Sequence, residues 1–285
     1  MAAPVFADRS APVPAVQEFV DPSVLRARAD DFFDRMGTAP AAFVVARLPA
    51  RPLSGGGDVA GQFDSYVLAL SWMPAFCEGK PGKTECANRN PDRFDAKNLV
   101  LHGLWPNKAN DSSHTYGYCG VDAATQALDL PATWCRMPAL NLLSATMSRL
   151  TEIMPGTASC LQNHEWYKHG SCSGFSPDEY FVQSAAIVSF VAGTNFGHYL
   201  AAHAGQTVTA DALLAAFERD FGAGSRRSVS LACAKAGGEN LLLEVRLPLA
   251  HPLRPAAELG QMLLPGRDRK GNCPASFKLH ELPAR

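Results

Sequence analysis

Two short segments of the chain concentrate side chains that can hold and transfer protons. In the first, LHGLWPN, His102 and Trp105 stand at the end of an apolar run that reads as a buried strand. An imidazole and an indole that project from a rigid strand edge can serve a site. The same two residue types are also common in protein cores, and the segment taken alone favours that simpler interpretation.

The second segment, HEWYKHG, carries four ionisable side chains within seven residues: His164, Glu165, Lys168 and His169. On a regular α-helix, residues three or four apart are neighbours, so the four groups would share one stripe. Two imidazoles can hold opposite protonation states near their ordinary pKa of about 6.5, and an ammonium can stabilise negative charge. The combination predicts an acid–base site rather than a solvated helix face.

A zinc site is the rival interpretation of this segment, because His-Glu-x-x-His on a helix binds zinc. Here the second histidine comes one residue later, and Lys168 occupies the expected ligand position. At about 100° per residue, α-helical side chains five positions apart diverge by about 140°. The spacing therefore argues against zinc, and we expect no metal and no cofactor.

The elements that must position these segments predict an α+β domain with a central antiparallel sheet flanked by helices. Aromatic and β-branched runs predict strands at 63–72, 98–104, 227–234 and 240–249. Gly237 and Gly238 predict a turn between the last two strands. Apolar periodicity and capping signals predict helices at 139–154, 176–191 and 209–221.

The N-terminal residues differ in composition from the rest of the chain. Residues 1–61 are rich in Ala, Pro and Arg, lack cysteine and end in a Ser-Gly linker, with one possible short helix at 21–37. We expect an extension there and one catalytic domain at 62–285. The chain carries 26 basic and 27 acidic side chains, so it does not suit nucleic-acid binding through bulk charge.

The eight cysteines lie after residue 76 and include no C-x-x-C pair, which favours four disulfides over metal ligation. Four bridges can be connected in about 105 ways, and the spacing does not choose among them. Disulfides indicate a periplasmic or secreted protein, which implies a signal peptide absent from this chain. The chain has no apolar run of about 20 residues, so the sequence predicts no membrane span.

The segments LHGLWPN and HEWYKHGSC together resemble the two active-site signatures of the ribonuclease T2 family, the acid endoribonucleases of low base specificity. The surrounding stretches SYVLALSW, EIMPG and KHGSCSGFSPDEYF look most like its bacterial periplasmic members. The resemblance covers roughly residues 62 to 280. It implies a monomeric enzyme that cleaves single-stranded RNA, contacts a few nucleotides, and requires neither a membrane nor an obligate protein partner.

The resemblance also implies a role for each signature residue. His169 would take the proton of the RNA 2′-hydroxyl, and His102 would protonate the leaving 5′-oxygen. His164 would hold the phosphate, while Glu165 and Lys168 would stabilise the transition state. The substrate-binding residues implied or suggested are Trp105, which would stack on a base, Asn107 and Tyr116. The product would be a 2′,3′-cyclic phosphate, which then opens to a 3′-phosphate.

The family further implies disulfides Cys119–Cys172 and Cys233–Cys273, which leaves Cys77–Cys86 and Cys135–Cys160 as the remaining pairs. Two alternatives to an RNA-cleaving enzyme stay open at this point. One is a catalytically silent relative that binds RNA or protein, and the other is a zinc-dependent hydrolase.

Overall fold

The computed structural model describes residues 58–88, 90–108, 116–265 and 271–282. The short helix predicted at 21–37 and most of the N-terminal extension lie outside these ranges. Residues 58–61, assigned to the linker from sequence, hydrogen-bond to the domain: Asp58 N–H donates to Gly117 O, and Gly61 N–H donates to Cys172 O. In the described part of the chain, no helix has the length and apolarity needed to cross a membrane.

A six-stranded sheet forms the centre of the domain. Its strands, in chain order β1 to β6, are Ser65–Ser71, Val100–Asn107, Thr207–Thr209, Ser230–Ala236, Glu239–Ala250 and Ser276–Lys278. The order across the sheet is β2-β1-β5-β6-β3, and β4 pairs with β5. The pairs are antiparallel except for a short parallel contact between β5 and β6. The predicted α+β class is confirmed, and the sheet is mixed rather than purely antiparallel.

Helices surround this sheet. In chain order, α1 to α9 are Met73–Gly79, Phe94–Lys97, Ala123–Ala127, Ser144–Ile153, Leu161–His164, Pro177–Ala192, Asn195–Ala202, Ala210–Phe221 and Leu259–Met262. The helix α6 begins with the predicted capping box, in which Ser176 and Glu179 satisfy each other's backbone N–H groups. The helix α8 ends at Gly222, whose φ of 88° lies in the region that glycine adopts most easily.

The core contains buried residues of the sheet and of helix α6, together with residues of α4, α7, α8 and α9. Alternate residues of β1, Tyr66, Leu68 and Leu70, are fully buried in it. On α6, Tyr180 covers the outer edge of β2: its hydroxyl donates to Leu104 O at 2.8 Å and accepts from Leu104 N–H at 3.2 Å. This helix therefore closes the sheet edge that carries the first signature segment.

Three predicted elements differ from the structure. β2 continues to Asn107, three residues beyond the end of the strand predicted at 98–104. Pro106 is tolerated within it because β2 is an edge strand. β4 begins at Ser230, three residues later than predicted, because a 3₁₀ turn occupies Ser225–Ser228. The helix predicted at 139–154 begins only at Ser144. Leu143 therefore precedes the helix, and it is 67% exposed.

The eight cysteines form four disulfides, which are the two pairs that the family resemblance implies and the two pairs that were left over. The pairs are Cys77–Cys86, Cys119–Cys172, Cys135–Cys160 and Cys233–Cys273. Cys160 immediately precedes α5, and Cys172 ends the turn that follows the second signature segment. Two of the four bridges therefore anchor the second signature segment at its two ends.

Candidate active site

A β-bulge in β2 directs the first signature segment towards one face of the sheet. Ala69 of β1 pairs with Gly103, but the next residue, Leu70, pairs with Leu101, so His102 is the extra residue. In a regular strand, residues three apart point to opposite faces. The bulge cancels this alternation and places His102 on the same face as Trp105, with their ring centroids 5.3 Å apart.

The second signature segment is a π-helical turn. The helix α5 ends at His164, and Glu165–His169 continues as a π-helix in which the N–H of Gly170 donates to Glu165 O, five residues back. The regular α-helix assumed from sequence is therefore wrong here. Since a π-turn aligns residues five apart, the rings of His164 and His169 lie 5.8 Å apart in an edge-to-face arrangement, not 140° from each other.

Glu165 occupies the centre of the site and is fully buried. Its Oε2 accepts a hydrogen bond of 2.7 Å from the indole N–H of Trp105. Its Oε1 has no hydrogen-bond partner within the described residues and lies 3.8 Å from Nε2 of both His102 and His164. Burial raises the pKa of Glu165, which the neighbouring histidines, Trp105 and Lys168 only partly oppose. An unpartnered oxygen between two imidazoles is suited to receive a polar group of a substrate.

His164 is fixed by a carboxylate that neither signature contains. Its Nδ1 lies 2.6 Å from Oδ1 of Asp129, which also accepts the indole N–H of Trp134 at 2.7 Å. The Trp134 ring stacks on the imidazole at 4.8 Å, and Tyr118 donates to the second oxygen of Asp129 at 2.5 Å. Burial alone would raise the pKa of Asp129, but these hydrogen bonds outweigh it and lower the pKa. The charged carboxylate leaves Nε2 as the free nitrogen of His164.

His102 likewise uses Nδ1 for a carboxylate from another strand. This atom lies 2.6 Å from Oε2 of Glu244 on β5, and the other oxygen of Glu244 accepts from Nε of Arg246 at 2.5 Å. Burial disfavours the charged imidazole, but the hydrogen bond to Glu244 and the charges of Glu165 and Glu244 outweigh it. The pKa of His102 is consequently raised above its ordinary value of 6.5.

His169 is in the opposite electrostatic situation. It is buried, and its Nδ1 has no hydrogen-bond partner among the described residues. Burial, together with the positive charge of Lys168 and the two neighbouring histidines, holds the pKa of His169 well below its ordinary value. The indole of Trp105 lies between the two imidazoles in space, 5.3 Å from each ring centroid. One imidazole therefore favours the neutral form and the other the charged form.

The geometry also brings together a possible set of metal ligands. His164, Glu165 and His169 each offer an atom within 4.8 Å of the others. The spacing of the two histidines does not keep their imidazoles apart, because the segment between them is a π-turn and not an α-helix. Within the described chain no other such group is found, and no metal is assigned to this one, since Lys168 adds a positive charge to the same turn.

The two other residues suggested for substrate binding are placed differently. Asn107 is partly exposed at the end of β2, on the same strand as His102 and Trp105. Tyr116 is only 3% exposed, and its hydroxyl donates to Val59 O and accepts from Gln62 N–H. This buried ring offers no exposed face for a base, so the structure gives Tyr116 a packing role.

Sequence reasoning missed Asp129, Trp134, Glu244 and Arg246. A signal for Glu244 existed, because the strand ENLLLEVRLPLA places a carboxylate between Leu243 and Val245 in an otherwise apolar stretch. Charged groups in buried strands are rare unless they are paired. Asp129 lies in the irregular segment between α3 and α4 and carries no comparable signal.

A model of the Ribonuclease T2 family matches residues 63–259 of the chain. The chain is 31% identical over 237 residues to Ribonuclease I of Escherichia coli strain K12, which covers 76% of this chain and 86% of that protein. It is 32% identical over 121 residues to a ribonuclease of Aeromonas hydrophila, covering 42% and 43% of the two chains. Among solved structures, ribonuclease MC1 from bitter gourd seeds shares the fold, with a TM-score of 0.51 and 22% identity over 76% of this chain and 100% of that one.

Proposed function

This chain belongs to the ribonuclease T2 family, and from that premise we propose that it cleaves single-stranded RNA through the RNA's own 2′-hydroxyl, without a metal. The chain is an endoribonuclease by family. The proposal adds the reaction course, in which the first product carries a 2′,3′-cyclic phosphate that then opens to a 3′-phosphate. It also adds the role of each residue.

The contrasting surroundings of the two histidines carry the assignment of base and acid. His169 is buried with an unpartnered Nδ1, whereas Nδ1 of His102 contacts the carboxylate of Glu244, so their pKa values are displaced in opposite directions. A general base must be neutral and a general acid must be charged at the working pH. His169, whose pKa is lowered, suits the base that removes the 2′-hydroxyl proton. His102, whose pKa is raised, suits the acid that protonates the departing 5′-oxygen.

The proton balance of the cleavage step follows from these roles. The 2′-oxygen attacks phosphorus as its proton passes to His169, and the bond from phosphorus to the 5′-oxygen breaks as His102 donates its proton. One imidazole gains the proton that the other loses, so the enzyme's net charge is unchanged. In the opening of the cyclic phosphate, His102 takes a proton from the attacking water and His169 gives its proton to the departing 2′-oxygen. Both imidazoles thereby return to their starting protonation states.

The other three signature residues suit stabilisation of the five-coordinate phosphorus. His164 presents Nε2 towards the space beside Oε1 of Glu165, and Lys168 brings an ammonium group to the same turn. Since burial raises the pKa of Glu165, its protonated form can donate from Oε1 to a phosphoryl oxygen. Donors fixed before the substrate arrives stabilise developing charge without costly reorganisation.

Base recognition in this proposal uses few groups, in keeping with low base specificity. The indole of Trp105, partly exposed between His102 and His169, offers a surface for any base, because every base has a stacking face. Asn107 offers an amide that can both donate and accept, so it does not select one pattern of base edge.

We assign the protein to the periplasm or the extracellular space, and we take it to act as a monomer. The four disulfides support that compartment, because such crosslinks persist where the surroundings are oxidising. A complete set of five signature residues in one chain supports catalysis without a second subunit.

The test is cleavage of single-stranded RNA in excess EDTA, with analysis of the product ends. We expect cyclic phosphate ends and a loss of about 10²- to 10⁴-fold in His102→Ala and in His169→Ala. His198→Ala, at an exposed histidine of α7, is the matched control and should be unchanged.

Full activity in either site variant would refute the assignment. Loss of activity in EDTA that Zn²⁺ restores would support the zinc hydrolase instead. RNA binding without any cleavage would support the silent relative.

A further inference from the structure

We propose that Glu244 is the positioning residue of His102, holding the imidazole so that Nε2 alone faces the substrate. Neither signature segment contains Glu244, which lies on β5, about 140 residues later in the chain. The inference rests on the proposed role of His102 as the acid, and its test is designed to separate the two.

The order and register of the strands explain how the side chain of Glu244 reaches His102. The strand β5 is separated from β2 by β1, and Glu244 pairs in register with Ser71 of β1. Residues paired across antiparallel strands point to the same face. Because Ser71 and the neighbouring Ala69 are small, the longer glutamate can cross over β1, and its Oε2 lies 2.6 Å from Nδ1 of His102.

The carboxylate is itself held on both oxygens. Oε1 accepts from Nε of Arg246, two residues along β5, while Oε2 contacts His102. Arg246 in turn places its guanidinium 5.5 Å from the centre of the Trp105 ring. Glu244 is buried, which alone would raise its pKa, but the hydrogen bonds and positive charges of His102 and Arg246 together outweigh burial and lower it. The group is therefore a charged acceptor with one partner on each oxygen.

A charged acceptor on Nδ1 determines which nitrogen can act. Nδ1 must carry a proton to donate to Glu244, so the proton that His102 gives up comes from Nε2. Nε2 lies 3.8 Å from Oε1 of Glu165, on the side where the phosphate is expected. After the transfer the ring is the neutral Nδ1–H tautomer, still bonded to Glu244 and ready to accept a proton on Nε2 in the second step.

A leaving-group comparison distinguishes positioning of the acid from general structural support. Uridylyl-(3′,5′)-adenosine has a poor alkoxide leaving group and needs an acid, whereas uridine 3′-(4-nitrophenyl phosphate) has a good leaving group and does not. Glu244→Ala should lower kcat/KM for the dinucleotide by about 10- to 100-fold, the effect of losing a hydrogen bond to a charged group. It should leave kcat/KM for the nitrophenyl ester nearly unchanged.

Glu244→Gln gives a second readout, because an amide oxygen can accept from Nδ1 but carries no charge. The charged or titratable groups that face His102 are Glu244 and Arg246 from β5 and Glu165 and His169 from the π-turn. Removing one negative charge from this set disfavours the imidazolium. The alkaline limb of the pH profile for the dinucleotide should therefore move to lower pH. Glu239→Gln, at an exposed glutamate on the same strand, is the control and should not move it.

Each outcome decides one of the two claims. If His102→Ala shows the leaving-group dependence but Glu244→Ala slows both substrates equally, Glu244 only supports the fold and the inference is overturned. If His102→Ala itself shows no such dependence, the acid assignment fails. Should Glu244→Ala not fold, Glu244→Gln carries the test alone, and an unmoved alkaline limb overturns the inference.

Discussion

Replacement of Gly103 by alanine should disrupt the site through a single methyl group. Gly103 is buried beside His102 on β2, and a Cβ built there would lie 2.0 Å from Oε2 of Glu165 and 2.2 Å from Nε1 of Trp105. These are the two atoms that share the 2.7 Å hydrogen bond at the centre of the site. Atoms at such distances cannot remain in place, so the methyl group must separate them.

The loss of folding stability in Gly103→Ala can be estimated from the environment of these atoms. Leaving a buried polar group without its hydrogen-bond partner costs about 1–3 kcal/mol. Forcing an extra methyl group into close packing costs about 1–3 kcal/mol more. Because Glu165 is fully buried, its carboxylate cannot recover the lost bond from solvent. Gly103→Ala should therefore lower the free energy of unfolding by about 2–6 kcal/mol. Displacement of the carboxyl group by about 1 Å should lower kcat by about 100-fold.

Urea denaturation and RNA cleavage under the same conditions measure the two effects. Gly82→Ala is the matched control, because nothing lies within 4 Å of a Cβ built at that exposed position. In a Trp105→Phe background, Gly103→Ala should cost less, since one of the two clashing atoms is gone. A variant as stable and active as the parent protein would refute the reasoning, as would equal costs in the two backgrounds.

The site also predicts a pH profile and the effect of a second buried carboxylate. The pH profile of kcat/KM should be bell-shaped. Its acid limb should lie below pH 6.5, where His169 becomes protonated, and its alkaline limb above pH 6.5, where His102 loses its proton. A rate that still rises above about pH 9 would contradict this profile. Asp129→Asn should lower the free energy of unfolding by about 2 kcal/mol, measured by urea denaturation at neutral pH, because the amide cannot replace a charged acceptor for Tyr118, Trp134 and His164. Since the pKa of Asp129 in the folded protein lies below 3.8, this stabilisation is present above pH 3.8 and is lost as the pH falls through the folded pKa. A stability difference between the parent protein and Asp129→Asn that did not shrink in acid would contradict the assignment.

Elements whose signals are local could be predicted from the sequence. The capping box at Ser176 begins α6, and the pair Gly237–Gly238, with φ values of 58° and 83°, forms the tight turn between β4 and β5. Positive φ at both positions is what a two-residue hairpin turn requires, and glycine adopts it without a steric penalty. Such features depend on a few neighbouring residues, so the sequence is enough to find them.

The orientation of the site residues could not be predicted, because both signature segments depart from regular periodicity by one residue. A regular strand would place His102 and Trp105 on opposite faces, and a regular α-helix would point His164 and His169 apart. The bulge and the π-turn reverse both results. Bulges and π-turns are held by contacts distant in sequence, such as the hydrogen bond from Trp105 to Glu165, which no local pattern encodes.

The carboxylates that orient the site histidines could not be predicted from the sequence either. Asp129 and Glu244 hold His164 and His102 from segments 35 and 142 residues away. The side chains that form the centre of the site could be identified from the two signatures, whereas the carboxylates that orient them depend on how the chain folds back on itself. Only the isolated charge of Glu244 within an apolar strand gave a hint.

The disulfides at the two ends of the second signature segment affect how the enzyme uses binding energy. Cys160 and Cys172 bracket four of the five site residues and join them to two other parts of the domain, through Cys135 and Cys119. The irregular turn between them is thus ordered before any RNA arrives, and its entropic cost is met during folding. Substrate contacts do not have to organise the catalytic groups. A chain with a net charge of −1 can therefore act on a few nucleotides without an extended, strongly basic surface.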